Sequence, residues 1–158
     1  MKIKGIIFED FINYKKPSMV IEFPYCDFKC DKECGQKICQ NSNLVNSPNE
    51  DISIIRIVKT YMENNITDAI VFQGLEPFDS KHDLYQLIKI FREYTQDDIV
   101  IYTGYTEIEL DHEIEILKRL FKNIIIKFGR FIPNQPSHFD EVLGVNLMSP
   151  NQYAKKIC

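Results

Sequence analysis

The chain has 158 residues, 44% of them hydrophobic and 27% charged, with a formal net charge of -4; these values suit a single soluble-type globular domain with an adequate core. The acidic balance and the absence of a long basic run argue against nucleic acid as a partner. No run of about 18 apolar residues exists to span a membrane, and the opening MKIKGIIFED reaches Glu9 and Asp10 before a signal-length apolar run forms, so a cytoplasmic setting is expected.

The remaining chain alternates short apolar runs with amphipathic segments. Residues 3–8 (Ile3, Ile6, Ile7, Phe8) suit an edge strand, and Val20–Phe23 is a strand leading into a group of cysteines. Ile54, Ile57, Val58 and Tyr61 follow helical spacing over Ser53–Glu63. Ala69–Phe72 is a second buried-type strand, stopped by Gly74 and Pro77. Ser80 with Asp83 has the form of a capping box, and Leu84, Leu87, Ile88 and Phe91 stripe the helix behind it. Ile99–Tyr102 is a third strand, Thr106 with Glu109 a second capping signal, and Leu110, Ile114, Leu117 and Phe121 a helix face. Ile124–Ile126 is a fourth strand ending at Gly129. The last thirty residues read as a loop, a strand near Val142–Leu147 and a short closing helix near Gln152–Ile157.

The order is β-α-β-α-β-α-β, with continuously apolar strands of the kind helices cover. Right-handed crossovers then make the sheet mostly parallel. In such sheets the working face is built by the loops after the strands' C-terminal ends. The cysteine loop, Gln73–Pro77, Thr103–Thr106 and Phe128–Arg130 all fall on that rim.

Cys26, Cys30, Cys34 and Cys39 lie within fourteen residues, while Cys158 stands apart. Disulfide scaffolds spread their cysteines through a short secreted chain, so a reduced metal-binding cluster is the better reading. Zinc or an iron–sulfur cluster would suit the spacing. A catalytic cluster further needs one metal position left open, as catalytic zinc sites keep one.

The segment Cys26-Asp27-Phe28-Lys29-Cys30, followed by Cys39-Gln40-Asn41, resembles the cysteine loop of radical S-adenosylmethionine (SAM) enzymes. The likeness is nearest to the small activating proteins of glycyl-radical enzymes, above all those of anaerobic ribonucleotide reductase. Gln73-Gly74-Leu75-Glu76-Pro77 resembles that family's SAM-ammonium segment, and Thr103-Gly104-Tyr105-Thr106 its Thr-Gly-Tyr-Thr segment. Gly129-Arg130-Phe131 and Ser149-Pro150-Asn151-Gln152 resemble two later motifs, so the likeness runs in order from about residue 5 to 157. The chain departs from the family in having Glu33 at the usual third-cysteine position, Tyr25 before Cys26, Gln73 for the first glycine and Leu75 as an extra apolar residue.

The resemblance implies one domain over 1–158, with a cysteine loop at 25–41 and a closing segment at 130–158. Its fold would be a small partial (βα) barrel of the radical SAM type, α/β with helices outside. It also implies a 4Fe–4S cluster on Cys26, Cys30 and Cys39. Residues 31–38 then read as an insertion, and Cys34 is the alternative third ligand. SAM would bind the open iron and lie against Gln73, Gly74, Glu76, Pro77, Thr103, Gly104, Tyr105 and Asn41. Arg130, Asn151 and Gln152 would support the rim or meet a partner. No side chain is assigned a catalytic role, since cluster and nucleotide carry the chemistry. The implied reaction is reductive cleavage of SAM, one electron arriving from a flavodoxin or ferredoxin. The resulting radical would place a glycyl radical on anaerobic ribonucleotide reductase. Two alternatives stand beside it: activation of another glycyl-radical enzyme or a peptide, and a zinc-stabilised α/β binding module without catalysis. Taken alone, Gly104 and Gly129 read as turn glycines with positive φ, Thr106 as a helix cap, and His82 and His112 as solvated surface.

Overall fold

A computed structural model describes residues 1–158. In chain order the elements are β1 (Lys2–Ile3), β2 (Gly5–Asp10), β3 (Ser18–Phe23), α1 (Lys29–Cys34), α2 (Ser42–Asn46), β4 (Glu50–Asp51) and α3 (Ile54–Glu63). They continue as β5 (Ala69–Gly74), a 3₁₀ turn over Pro77–Ser80, α4 (Lys81–Tyr94), β6 (Asp98–Tyr102), α5 (Asp111–Leu120) and β7 (Ile124–Phe128). The chain ends with β8 (His138–Asp140), β9 (Val145–Leu147) and β10 (Tyr153–Lys156).

The central sheet has six strands in the order β10-β7-β6-β5-β3-β2. Its four inner strands are parallel, and both outer strands run antiparallel. The protein is therefore α/β with a mixed sheet. Strand alternation divides the apolar side chains between two faces. Met19, Ile21, Phe23, Ile70, Phe72, Ile99, Ile101, Ile124, Ile126 and Phe128 form the larger core with helices α3, α4 and α5. Val20, Val71, Val100 and Ile125 face the other way, against Tyr14, Leu143, Leu147 and Ala154. All three long helices thus cover one face, and the β8–β9 hairpin with the segment before β3 covers the other.

Local sequence explains the long helices. Ser53 caps α3, its hydroxyl accepting from Arg56 N at 3.2 Å, and Ile57, Val58 and Tyr61 are its buried stripe. Leu84, Leu87, Ile88 and Phe91 of α4 are fully buried, each contributing about 1.5–3 kcal/mol of transfer free energy. Before α5, Thr106 and Glu109 form the reciprocal box, Glu109 Oε2 accepting from Thr106 N at 2.8 Å and Glu109 N donating to Thr106 Oγ1 at 3.3 Å. The box closes a turn just ahead of the assigned helix.

Three expectations need correction. The Ser80–Asp83 box does not form: the 3₁₀ turn runs straight into α4, and the buried Ser80 hydroxyl has no partner. The expected helix near Gln152–Ile157 is strand β10, which pairs with the free edge of β7 from Tyr153↔Phe128 to Lys156↔Ile125. An isolated helix of six residues is marginal, whereas the sheet edge offers a full set of backbone partners. The strand near Val142–Leu147 is shorter, Val145–Leu147, and pairs with His138–Asp140. Asp140 turns this segment, its carboxylate accepting from Leu143 N and Ala154 N, both at 2.8 Å.

Candidate metal centre

The loops at the C-terminal ends of β3, β5, β6 and β7 converge on a cavity of about 150 Å³. Cys26, Cys30 and Cys39 line it, together with Asn41, Gln73, Gly74, Glu76, Thr103 and Gly104. Cys34 does not: it is exposed and borders an adjoining cleft that shares Cys30, Ile38 and Phe131 with the main cavity. Pro77 is buried at the start of the 3₁₀ turn, and Tyr105 lies in a small neighbouring cleft, so neither lines the main cavity.

The cysteine loop is folded by its own polar groups. Phe28 sits in the left-handed region (φ 56°), with its N–H 3.2 Å from Cys26 Sγ. Lys29 N donates to Asp27 Oδ1 at 3.1 Å, starting α1. Asp31, within α1, accepts through Oδ1 from Ile38 N and Cys39 N beyond the helix, both at 2.9 Å. This pair of hydrogen bonds closes the end of α1 and the turn after it into a loop and brings Cys39 back beside Cys30. Asp31 was not among the expected site residues; the only sequence signal is an acceptor at the start of the apparent insertion. Asn41 Nδ2 then donates to Gly74 O at 2.6 Å, tying the loop to the end of β5.

Glu76 joins the rim. Its carboxylate accepts from Phe78 N (3.1 Å), Thr103 Oγ1 (2.8 Å) and Gly104 N (2.9 Å). Three of roughly four acceptor positions are thereby used and one is left. Burial pushes this carboxyl up to about 7, with the three donors opposing the shift. Gly104 does not have positive φ; a Cβ there would sit 3.5 Å from Cys30 Sγ and 3.6 Å from Arg130 Cγ, so the missing side chain is what opens the cleft. Gly74, by contrast, has φ +97°, and a Cβ would lie 2.6 Å from Phe23 N.

Ser149–Gln152 pins the last loop. Asn151 Nδ2 donates to Arg130 O at 2.7 Å, and Gln152 Nε2 to Gly129 O at 3.3 Å. Lys127, a residue the sequence reading passed over, lies 7% exposed in the cavity wall. Its ammonium donates to Gly129 O at 2.9 Å and is 5.9 Å from the Tyr102 ring. Burial lowers its pKa to about 8, with Glu76 and Cys30 opposing. A lysine at the inward position of an otherwise apolar strand was the signal that could have exposed it.

The donor set fits a thiolate-bound cluster. Burial raises all three thiols, Cys26 to about 12, where Glu76, Asp79 and Asp27 add to the effect and the Phe28 N–H opposes it. Such thiols are inert without metal and are deprotonated by coordination. No histidine and no fourth cysteine lines the cavity. Three cysteines sharing a cavity with amide, hydroxyl and ammonium side chains can hold a metal cluster with polar groups around it.

Comparison with known families agrees with this chemistry. The family model described as a 4Fe-4S single cluster domain matches residues 18–144, from β3 to the turn before β9. The chain belongs to that family and is an iron–sulfur, metal-binding protein with a redox-capable centre. Searches of curated proteins and of solved structures return no match. No helix is long and apolar enough to cross a membrane.

Proposed function

We propose that the protein is a radical SAM activase that generates a glycyl radical on anaerobic ribonucleotide reductase. On this reading Cys26, Cys30 and Cys39 hold the 4Fe–4S cluster, and the one-sided sheet is a reduced (βα) barrel. The observation that carries the reading is the separation of the cysteines: three line the cavity and Cys34 borders another cleft. A fourth ligand position then remains for substrate, as catalytic metal sites require.

When bound, the cluster supplies one low-potential electron to the sulfonium of SAM. The chain's residues bind and orient the nucleotide. Glu76 offers its remaining acceptor position and Gln73 its amide to the methionyl ammonium. Lys127 is the only cationic side chain lining the cavity and suits a carboxylate. Gln40, Asn41 and Gln152 offer further amide groups. Tyr102 keeps its hydroxyl on Asn13 O at 2.6 Å, closing the cavity's floor. The rim loops hold these groups on rigid strand ends, where positioning is most effective. Pro77 and Tyr105 act only through neighbours, Tyr105 by donating to Asp79 Oδ1 at 2.6 Å.

The test is anaerobic reconstitution of the full chain with iron and sulfide, reduction, and electron paramagnetic resonance with and without SAM. The native chain and Cys34→Ala are expected to give a cluster signal that SAM changes; Cys39→Ala is expected to lose that response. The opposite pattern would transfer the third ligand to Cys34, and a native signal indifferent to SAM would remove the activase reading. Family membership weighs against the zinc-stabilised module, which a colourless, zinc-loaded protein would restore.

A further inference from the structure

Helix α1 carries Cys30, yet none of its residues is buried and its N-cap position makes no side-chain hydrogen bond. A six-residue helix with no buried face lacks the packing that stabilises short helices. Its support comes instead from contacts across the rim. Lys29 and Glu33, one turn apart on the same face, reach the same group of residues. Lys29 Nζ is 4.2 Å from the Tyr105 ring centroid and 3.8 Å from Glu109 Oε1. Glu33 Oε2 is 3.3 Å from Arg130 Nε. Arg130 in turn forms a fork on Glu109, at 2.7 Å to Oε1 and 2.9 Å to Oε2, and its guanidinium carbon is 5.8 Å from the Tyr105 ring.

Arg130 also lies near Cys30. Both residues line the same two clefts. A point at the absent Gly104 Cβ lies 3.5 Å from Cys30 Sγ and 3.6 Å from Arg130 Cγ. The Arg130 side chain is 10% exposed, and its Nε–H, though near Glu33, has no acceptor in hydrogen-bond geometry. An unspent buried donor carries a cost unless something completes it, and the guanidinium charge is close enough to favour negative charge on the Cys30 sulfur. Hydrogen bonds and charge at ligand sulfurs are the protein's means of setting an iron–sulfur potential.

We propose that Arg130 is a positioning residue that clamps α1 to the rim and raises the reduction potential of the cluster through the Cys30 sulfur, with Glu109 opposing its charge. The inference rests on Cys30 being a cluster ligand; it does not require SAM. Loss of the guanidinium makes the reduced, more negative state harder to reach. Loss of the Glu109 charge unmasks the guanidinium and has the opposite effect.

The experiment is a potentiometric titration of the reconstituted full chain, without SAM, on the native protein and on Arg130→Gln, Arg130→Lys and Glu109→Gln. Amide hydrogen exchange of the reduced, cluster-free proteins accompanies it. Arg130→Gln is expected to disfavour reduction about tenfold, about 59 mV lower for a one-electron couple. Glu109→Gln is expected to shift it upward, and Arg130→Lys to stay nearer the native value. Exchange in α1 should quicken at least about fivefold in Arg130→Gln while Leu84–Phe91 of α4 is unchanged. Potentials that do not move, that move alike in Arg130→Gln and Glu109→Gln, or that move as far in Arg130→Lys overturn the proposal, as does exchange that quickens equally in α4. A cluster that titrates as expected yet ignores SAM refutes the activase reading and leaves this inference standing.

Discussion

Lys127→Met is the substitution that best separates what the cavity costs the fold from what it gives a ligand. Lys127 is buried on the inner face of β7 with one hydrogen bond, to Gly129 O. Burial lowers its pKa to about 8 from an ordinary value near 10.5. At pH 7 that shift corresponds to a penalty of up to about 3.3 kcal/mol on the folded state. Methionine removes the penalty and keeps the volume, but forfeits the Gly129 bond and the contact with the Tyr102 ring, together about 1–2 kcal/mol. The metal-free variant should therefore be about 1–2 kcal/mol more stable at pH 7, a gain of about 2–8 °C in Tm for a chain of this size. The sign with pH follows from proton counts. The unfolded lysine binds its proton to about pH 10.5 and the folded one only to about 8, so native stability rises between those values. The advantage of the variant should thus shrink by about 1.3 kcal/mol from pH 7 to pH 9. Urea denaturation of the reduced, metal-free proteins at both pH values measures it. A variant that is less stable at pH 7, or whose advantage grows toward pH 9, would show that the ammonium is well solvated in place. The same variant, reconstituted, should bind SAM about tenfold or more weakly if the ammonium meets the methionyl carboxylate.

The other predictions concern the frame of the site. Gly74→Ala puts a methyl 2.6 Å from Phe23 N at a positive φ, against backbone that cannot yield without separating β3 from β5. A loss of about 2–4 kcal/mol is expected in urea denaturation, and a loss under 1 kcal/mol would mean that the ends of β3 and β5 part at little cost. Asp140→Ala strips acceptors from two buried N–H groups, Leu143 and Ala154. It should cost about 2–4 kcal/mol, with Asp140→Asn recovering part of it through its remaining carbonyl. Tyr61→Phe removes a 2.6 Å bond to Asp97 Oδ2 at the foot of α3 and should cost about 1 kcal/mol by the same assay.

Much of the architecture was legible because apolar periodicity decides it. The long helices follow stripes whose members are buried, with Ile54 and Phe121 half-buried at the ends, and the inner strands follow continuous apolar runs, as at Ile99–Tyr102 within β6. The convergence of four loops on one rim followed from the strand order alone. What escaped the sequence were features made by long-range pairing. Tyr153–Lys156 has no strong period, and its form is decided by the vacant edge of β7, 25 or more residues earlier in the chain. Ser80 and Asp83 had the right spacing for a cap, but Pro77 begins a turn that supplies the helix entry first. Among the cysteines, spacing alone left Cys34 and Cys39 open. The geometry brings Cys39 into the cavity because Asp31 takes both Ile38 and Cys39 N–H groups, an acceptor role that spacing does not reveal.

The placement of the cavity follows from the one-sidedness of the sheet. On the face without helices, Val20, Val71, Val100 and Ile125 form an apolar row beneath Tyr14, Leu143 and Leu147. Two residues further along each strand, toward the C-terminal ends, the same face carries Glu22, Gln73, Tyr102 and Lys127, with Glu22 opposite Gln73 and Tyr102 opposite Lys127. An apolar hairpin can cover the first row but not the second, because each polar group in it needs a partner or water. The cover therefore stops at this level, and the cavity opens where it stops, with the three cysteines in its lining. A helix-covered face would have buried both rows and left the thiols nothing to face but hydrocarbon. The polar row thus suits a cavity that takes a polar or charged group, since Gln73, Tyr102 and Lys127 line it together with the three cysteines.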